Sequence, residues 1–353
     1  MSASNGSRVR WTDWGAVAAV ALAFSLIVVH NLDAGHETAL LNVSYDPTRE
    51  LYKALNESFA RSYEKQTGHR ITIQQSHGGS SRQARSVIEG KQQADVVTLG
   101  LYADIDGLRK RGLVAAGWSQ RLPHNSQPYQ STIVFVVRKG NPRQIHDWPD
   151  LIKPDVSVVT PDPKSSGNGK LSALAAWGAA LRRGESEDQA RAYLKEFYLH
   201  VPVFDSGARG AATTFAVEKI GDVHLTWENE ALREVAESKG ELALVYPPVS
   251  ILAEPFVAWV DANVAPHHTE EAAKAYLAYL FGDEAQETMA KLGYRPTNPY
   301  ILKKYADRLP PLDLFPITFI ARDWEDAQQK FFADNGVLDS VYHPAPQRLR
   351  TAE

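Results

Sequence analysis

Short apolar segments alternate with amphipathic helical segments along this chain, and the alternation restricts its fold more than any other feature of the sequence. Residues 40–44 and 71–74 have the composition of buried strands. Between them, Leu51, Leu55 and Phe59 recur at helical spacing and form one apolar face. A second helix follows, and then a third strand at residues 95–99. Parallel neighbouring strands need a helical crossover, so this order predicts a mostly parallel sheet covered by helices.

A second alternating series begins after a polar stretch at residues 124–128. Strands are predicted at residues 131–138, 156–160, 201–204, 223–227 and 242–246, and helices at residues 170–183 and 187–199. Residues 255–260 are expected to return the chain to the first sheet, and helices are predicted at residues 269–281 and 322–335. A chain of 353 residues is long enough for two such units. The predicted class is therefore α/β with two lobes.

Four loops rich in glycine and hydroxyl side chains stand where a predicted strand gives way to a helix. They are residues 76–81, 163–169, 205–210 and 227–230. The N-terminus of a helix exposes backbone N–H groups and the positive end of the helix dipole, which together bind small anions. The four loops predict a cage of neutral hydrogen-bond donors around a dianion, and not an enzyme with a nucleophile.

Taken one at a time, these loops have ordinary structural interpretations. A Gly-Gly-Ser turn is more often just a turn, and the Ser80 hydroxyl could cap its helix as well as bind a ligand. The pattern around Gly169 fails as a phosphate-binding P-loop, because Lys164 and Leu171 stand at required positions. Trp227 at a strand end is more often a core residue than a ligand contact.

Composition and motifs exclude several classes of function. The net charge of −4 does not favour nucleic acid or an anionic membrane surface, and no cysteine is present. The sequence lacks a Gly-x-Ser-x-Gly motif and the histidine spacings of zinc enzymes. Glu228 and Glu230 could form an acid–base pair, but carboxylates at a helix start more often complement its dipole. We therefore expect no catalysis, no metal and no cofactor.

The N-terminal segment has the pattern of a secretory signal. Arg8 and Arg10 precede an apolar run at residues 14–29, and the small residue Ala34 follows. Residues 1–34 are predicted to be a signal peptide cleaved near Ala34. An uncleaved N-terminal anchor is the alternative.

Several long stretches resemble the sulfate/thiosulfate-binding periplasmic subunits of bacterial ABC importers. These stretches are residues 40–50, 75–80, 131–142, 163–167, 205–210, 227–231 and 294–296. The similarity covers nearly all of the chain after residue 38. It implies a two-lobed periplasmic-binding-protein (type II) fold in which each lobe is a mostly parallel sheet flanked by helices, with the ligand in the cleft between the lobes.

The resemblance also implies the lobes and the ligand contacts. Lobe 1 is expected at residues 38–125 and 252–340, lobe 2 at residues 130–250, a C-terminal tail at residues 341–353, and hinges near Tyr129 and Ile251. The implied ligand-binding residues are Asp46 (through its main chain), Ser80, Ser166, Gly167, Asn168, Ala208 and Trp227. Asn168 stands where the family usually has glycine, and Gly169-Lys170 replaces the usual Ala-Arg, which keeps the positive charge.

The function implied is capture of sulfate or thiosulfate in the periplasm and delivery to the membrane subunits of an ABC permease. The protein is expected to be a monomer without nucleic-acid partners. Three alternatives remain open: a binder of molybdate, tungstate or phosphate, an extracytoplasmic enzyme acting on sulfate or phosphate esters, and a receptor tethered by an uncleaved N-terminus. The sequence does not rank sulfate above thiosulfate.

Overall fold

A computed structural model describes residues 38–342 of the chain. The strands are β1 Thr38–Tyr45, β2 Ile71–Gly78, β3 Val96–Leu99, β4 Tyr129–Gln130, β5 Ile133–Arg138, β6 Val158–Val159, β7 Val223–Trp227, β8 Leu242–Val245, β9 Ser250–Ile251, β10 Phe256–Trp259, β11 Arg295–Pro296 and β12 Leu314–Phe315. The α-helices are α1 Arg49–Thr67, α2 Ser80–Ile88, α3 Tyr102–Lys110, α4 Gly167–Arg182, α5 Glu187–Leu199, α6 Ala208–Ala212, α7 Glu228–Glu237, α8 Asp261–His267, α9 Glu270–Tyr279, α10 Asp283–Lys291, α11 Pro299–Lys304, α12 Trp324–Ala327 and α13 Val337–Val341. Shorter helical turns lie at Asp46–Thr48, Trp118–Gln120, Pro123–Ser126, Trp148–Ile152, Thr213–Val217, Ile317–Phe319 and Gln328–Phe332.

The first sheet has the strand order β10-β3-β1-β2. β1 pairs in parallel with both β2 and β3, and β10 adds an antiparallel edge. The strand that returns from the second half of the chain is therefore the one strand of this sheet that runs in the opposite direction. This sheet with helices α1 to α3 is called the first unit below.

The second sheet has the order β6-β7-β5-β8. β6 and β7 are parallel, whereas β5 is antiparallel to both of its neighbours, β7 and β8. Three of the four strands in each sheet thus share one direction, as the sequence predicts. The reversed strand here, β5, is the one by which the chain enters the sheet. This sheet with α4 to α7 is called the second unit.

Helix α1 shows how the sequence sets an element and its ends. Its apolar residues Leu51, Leu55 and Phe59 are buried, as the helical spacing predicts. The helix ends at Gly68, which adopts the left-handed conformation (φ 76°) and donates its N–H to the Glu64 carbonyl. Glycine has no Cβ penalty in that conformation, so it stops the helix at low cost.

Short backbone pairings lie where the chain passes between the two units. β4 pairs with β11 and β9 pairs with β12. The Ser131 N–H donates to the Ala253 carbonyl at 2.9 Å, and the Thr132 hydroxyl donates to the Ile251 carbonyl at 2.8 Å. The two crossing segments are therefore hydrogen-bonded side by side.

Two predicted elements differ from the structure. Residues 201–204 form no strand, because Pro202 has no N–H to donate to a neighbouring strand. The helix predicted at residues 322–335 is broken into α12 and the π-helical turn Gln328–Phe332. That turn places Phe331 edge-on against Trp177 of α4, with ring centroids 5.2 Å apart, so tertiary packing overrides the helical pattern.

Replacing Gly178 by alanine is expected to destabilise the second unit. A Cβ at Gly178 would overlap the ring of Phe315, with one ring carbon, Cε1, at 2.9 Å. Overpacking of this kind costs roughly 1–3 kcal/mol. Urea unfolding of Gly178→Ala should show a loss of that size, whereas Gly107→Ala should not, since its Cβ would meet only Ile88 Cδ1 at 3.6 Å. Equal stability of the two variants would contradict the prediction.

Candidate functional site

Four helices begin close together where the two units meet. α2 begins at Ser80, α4 at Gly167, α6 at Ala208 and α7 at Glu228, and none of their N-cap side chains accepts a hydrogen bond from its own helix. The first-turn N–H groups of a helix have no intrahelical acceptor, so they are available to a ligand. At α7, the first N–H donates instead to the Thr132 carbonyl at 3.0 Å.

Glycines allow the loops of the two units to approach one another at this place. A Cβ at Gly79 of the first unit would lie 2.6 Å from the Ser165 carbonyl oxygen and 2.7 Å from that of Ser206, both in the second unit. A Cβ at Gly207 would overlap the Asp46 carboxylate. Three of the four predicted loops, residues 76–81, 163–169 and 205–210, are thus brought together, and the contacts cross from one unit to the other.

Trp227 contributes a donor that has no partner. It is fully buried, and its indole Nε1–H makes no hydrogen bond within the described residues. Its ring packs on Tyr45 of the first unit, with centroids 5.2 Å apart, and a Cβ at Gly100 would lie 3.4 Å from Trp227 Cζ2. A buried unpaired donor costs about 1–3 kcal/mol. Because Trp227 also lies beside Ser80 at the start of α2, its N–H is a candidate donor to a ligand.

Ser80 is buried at the first turn of α2, but its hydroxyl is already engaged. It donates to Asp104 Oδ2 at 2.5 Å and accepts the Gly100 N–H at 2.9 Å. The neighbouring Ser81 hydroxyl donates to the other carboxylate oxygen, Asp104 Oδ1, at 2.8 Å. The group that Ser80 can offer to a ligand is therefore its backbone N–H.

Residues 166–168 lie at the start of α4. Ser166 and Asn168 are buried, and the Ser166 side chain does not cap the helix. Asn168 donates its side-chain amide to the Leu225 carbonyl at 2.9 Å, while its Oδ1 is buried without a partner in the described part of the chain. The Asn168 side chain thus ties α4 to β7, and its backbone N–H stays in the first turn.

Asp46 lies in a helical turn directly after β1, with its side chain mostly buried. Its carboxylate lies against Gly207 and accepts a hydrogen bond from Arg49 Nη2 at 3.4 Å. The Asp46 side chain thus contacts a loop of the second unit. Asp46 therefore helps to hold the loop before α6 in place.

The arginines near the site are paired with carboxylates. Arg209 of α6 forms ion pairs with Glu50 of the first unit and with Glu230 of α7. Glu230 is buried, which raises its pKa, while Arg209 and Arg233 act in the opposite direction. Because these cations are balanced, the donors at the helix starts are mainly neutral N–H groups.

Glu228 does not form an acid–base pair with Glu230. Both of its carboxylate oxygens accept hydrogen bonds from Arg295, at 2.6 and 2.7 Å, and Tyr246 donates to it at 3.0 Å. Arg295 lies on β11, so this buried pair connects α7 to the crossing segments. Glu228 is therefore a structural residue at the junction of the units.

The described residues offer neither a metal site nor a membrane span. No group of three or more histidine, aspartate or glutamate side chains in residues 38–342 is arranged to hold a metal ion. Within the same range, none of the helices combines the length and the apolar character that crossing a bilayer requires. The predicted signal peptide at residues 1–34 lies outside the described residues, as does most of the predicted C-terminal tail.

Comparison with known proteins shows what this arrangement is similar to. The family model of the bacterial extracellular solute-binding proteins matches residues 48–295. The sulfate-binding protein of Salmonella typhimurium is 50% identical over 321 residues, which are 90% of this chain and 97% of that protein. The thiosulfate-binding protein of Pseudomonas aeruginosa is 48% identical over 307 residues, 86% of this chain and 92% of that protein.

This chain belongs to the family of bacterial sulfate- and thiosulfate-binding proteins. A solved structure agrees: the sulfate-binding protein SubI of Mycobacterium tuberculosis superposes with a TM-score of 0.77 at 29% identity, covering 84% of this chain and all of that one. The fold is that of the periplasmic binding proteins, with two helix-flanked sheets. The family resemblance stated from the sequence motifs is confirmed.

Several residues that shape the site were not indicated by the sequence. Asp104 and Gly100 carried no motif of their own, yet Asp104 holds the Ser80 hydroxyl and Gly100 lies against Trp227. Glu50 lies in a family motif, but its pairing with Arg209 was not predicted. Their roles depend on partners far away in the sequence. The nearest signal was Asp104 in the first turn of α3, which looks like an ordinary dipole partner.

His77 at the end of β2 gives the site region a pH dependence. Burial and the nearby Arg49 charge lower the pKa of His77 to about 4, from its usual value of 6.5. Its Nδ1 is buried without a partner in the described region. The unfolded chain therefore binds a proton near pH 6.5 that the folded chain takes up only near pH 4.

Acidification should therefore destabilise the protein between about pH 6.5 and pH 4, and His77→Gln should reduce that loss. The contribution of His77 to the free energy of unfolding is fully present above pH 6.5, and it is lost as the pH falls towards 4. Urea unfolding at several pH values measures it, with His69→Gln as the control because His69 is exposed. Parallel pH profiles for His77→Gln and the unmodified protein would refute the role of His77.

Proposed function

We propose that this protein binds sulfate or thiosulfate reversibly between its two units and delivers the anion to the membrane subunits of an ABC permease, without catalysing a reaction. The observation that carries the proposal is the buried, unpaired indole N–H of Trp227, a residue that lies directly before α7 of the second unit and beside the start of α2 of the first unit. A ligand that fills such a space must accept hydrogen bonds and needs to donate none. A tetrahedral dianion without protons has these properties.

The proposed ligand contacts are the residues that the family resemblance implied. They are Asp46, Ser80, Ser166, Gly167, Asn168, Ala208 and Trp227. Support comes from their burial and from their positions on the first turns of three helices and at the end of β7. We assign backbone N–H groups to most of them, a hydroxyl to Ser166 and the indole N–H to Trp227.

A site made mostly of N–H donors would distinguish sulfate from phosphate. Hydrogen phosphate carries an O–H that needs an acceptor, and leaving it unpaired costs roughly 1–3 kcal/mol, or about ten-fold to a hundred-fold in affinity. Sulfate carries no proton at neutral pH and meets no such cost. The donors therefore favour sulfate because sulfate has no proton to donate, and not because of a difference in the charge of the two anions.

Capture is proposed to be a hinge closure of two lobes. Lobe 1 would comprise residues 38–125 and 252–340 and lobe 2 residues 130–250, with hinges near Tyr129 and Ile251, where short strand pairings replace the large sheets. Contacts from both lobes to one anion would stabilise the closed arrangement. We place the mature protein in the periplasm as a monomer, because its relatives are binding proteins and residues 1–34 have the pattern of a signal.

Calorimetric titration of ligand-stripped protein tests the proposal. Sulfate and thiosulfate should each be tried, followed by phosphate and molybdate, all at neutral pH. We expect sub-micromolar binding of sulfate or thiosulfate and no response to phosphate. Tighter binding of phosphate or molybdate would overturn the assignment of the ligand, and turnover of a sulfate ester would overturn the assignment as a binding protein.

The Asp46→Asn variant tests the main-chain role assigned to Asp46. Asparagine keeps the backbone N–H and removes the charge that lies against Gly207 and Arg49. Sulfate affinity should stay within a few-fold of that of the unmodified protein. A large change, or new phosphate binding, would mean that the carboxylate itself faces the ligand.

A further inference from the structure

A cavity of about 270 Å³ lies where α2 and α3 of the first unit meet the start of α4. The first unit contributes several apolar or small residues to its lining, which are Ala84, Ile88, Tyr102, Ala103 and Gly107. The second unit contributes Lys170, and the segment that contains α12 contributes Glu325 and Gln328. The shape of this cavity therefore depends on the arrangement of the two units.

Lys170 is a buried cation without a partner of opposite charge in contact with it. The residue is 8% exposed, and within residues 38–342 its ammonium group forms neither a hydrogen bond nor an ion pair. Its Nζ lies 5.2 Å from the centroid of the Phe332 ring. A buried charge is costly unless it is paired and hydrogen-bonded. The cavity that Lys170 lines is therefore a place where an anion would be stabilised.

Arg85 of α2 brings a second cation to the same cavity from the first unit. Its Nη1 donates to the Lys164 carbonyl of the second unit at 3.4 Å, and it has no carboxylate partner in the described part of the chain. Burial lowers the pKa of the Lys170 ammonium and Arg85 acts in the same direction, whereas Asp104 acts against both. The two cations are therefore close enough to repel each other, and an anion in contact with both would offset that repulsion.

The carboxylates at this cavity are already engaged by other groups. Asp106 and Glu325 both form ion pairs with Lys110, at 3.3 and 2.9 Å. Asp104 accepts hydrogen bonds from two serine hydroxyls, at 2.5 and 2.8 Å. The negative charges are thus held by their own partners, whereas the two cations described above are not.

We propose that this cavity is a second binding site, separate from the cleft proposed for sulfate, and that its ligand is a small organic carboxylate. The carboxylate group contacts Lys170 and Arg85, and a short apolar chain lies along Ala84, Ile88 and Tyr102. An inorganic anion leaves these apolar residues without a contact. The ligand touches both units, so it favours the arrangement in which they are together and is coupled to sulfate binding. That coupling rests on the proposed function, whereas the site itself does not.

Butyrate is the probe that tests the site, by saturation-transfer NMR and by thermal unfolding at neutral pH. Both measurements are made without sulfate and with enough sulfate to fill the cleft. We expect a dissociation constant on the order of 1 mM, which is ordinary for a ligand of this size, and a rise of the melting temperature as butyrate is added. n-Butylamine has the same chain with the opposite charge and should not bind.

Lys170→Met removes the charge and keeps the length of the side chain. The variant should bind butyrate at least ten-fold more weakly, and Lys170→Arg should retain the binding. Without butyrate, Lys170→Met should be at least as stable as the unmodified protein, because the lost charge had no partner. Lys195→Met is the matched control, since Lys195 is an exposed lysine on α5 of the same unit, and it should bind butyrate normally.

Four results would overturn the proposal. They are equal butyrate binding by Lys170→Met and the unmodified protein, equal stabilisation by chloride or phosphate, competition between butyrate and sulfate, and a clear loss of stability in butyrate-free Lys170→Met. The third would place butyrate in the cleft, and the last would make Lys170 a structural partner of Asp104. Butyrate binding by a protein that binds no sulfate would support this site and overturn the proposed function alone. Tighter butyrate binding in the presence of sulfate would support the coupling.

Discussion

Replacing Gly79 by alanine is expected to weaken sulfate binding by about 100-fold while leaving each unit folded. Gly79 has φ −56° and ψ 131°, a conformation that alanine adopts readily. The added Cβ would meet the carbonyl oxygens of Ser165 and Ser206 at 2.6 and 2.7 Å. Both oxygens belong to the second unit, so the clash exists only when the units are together. A closure penalty of about 3 kcal/mol corresponds to about 100-fold in affinity.

Calorimetry with sulfate, together with small-angle scattering with and without sulfate, measures this effect. Gly79→Ala should keep the thermal stability of the ligand-free protein and should show a reduced compaction on addition of sulfate. Gly107→Ala is the control, because its Cβ makes only an ordinary contact within the first unit. A sulfate affinity within three-fold of the unmodified protein would mean that the bound state does not bring Gly79 against the second unit.

Replacing Trp227 by phenylalanine is expected to weaken sulfate binding by roughly ten-fold to a hundred-fold. Phenylalanine keeps an aromatic ring against Tyr45 but removes the indole N–H, which has no partner in the described structure. A hydrogen bond to a charged group contributes about 1.5–3 kcal/mol. The stability of the ligand-free protein should change much less than the affinity, because no protein acceptor loses its donor.

Trp177→Phe provides a matched control for the loss of an indole N–H. Trp177 is also fully buried with an unpaired Nε1–H, but it packs against Phe331 on the far part of α4. The same substitution there should leave sulfate affinity unchanged. Equal losses in the two variants would show that Trp227 acts through general packing and not as a hydrogen-bond donor to the anion.

Local sequence patterns predicted most of the elements that carry the site. The helix at residues 187–199 was predicted with its observed bounds, Glu187–Leu199. β2 extends to Gly78, four residues beyond the predicted strand, and α4 begins at Gly167, three residues before the predicted helix. These differences fall at the site itself, because glycine and serine have weak preferences for either state and the neighbouring unit decides their conformation.

The sequence by itself determined the alternation of strands and helices, the four loops at helix starts and membership of the family. Each of these depends on residues close together in the chain, through periodicity, glycine conformations and composition. The seven proposed ligand contacts were implied by the family resemblance, and six of them lie in those loops, whereas Asp46 follows β1. Their common position, the junction of the two units, is where the structure places the loops.

Only the tertiary structure decided which polar groups are free and which are engaged. The Ser80 hydroxyl meets Asp104 across 24 residues of sequence, and Arg295 meets Glu228 across 67. A hydrogen bond needs two groups within about 3 Å with the right direction, and no local pattern specifies such a distance between remote residues. Packing of the two units therefore leaves the Trp227 N–H unpaired and removes the Ser80 hydroxyl from the site.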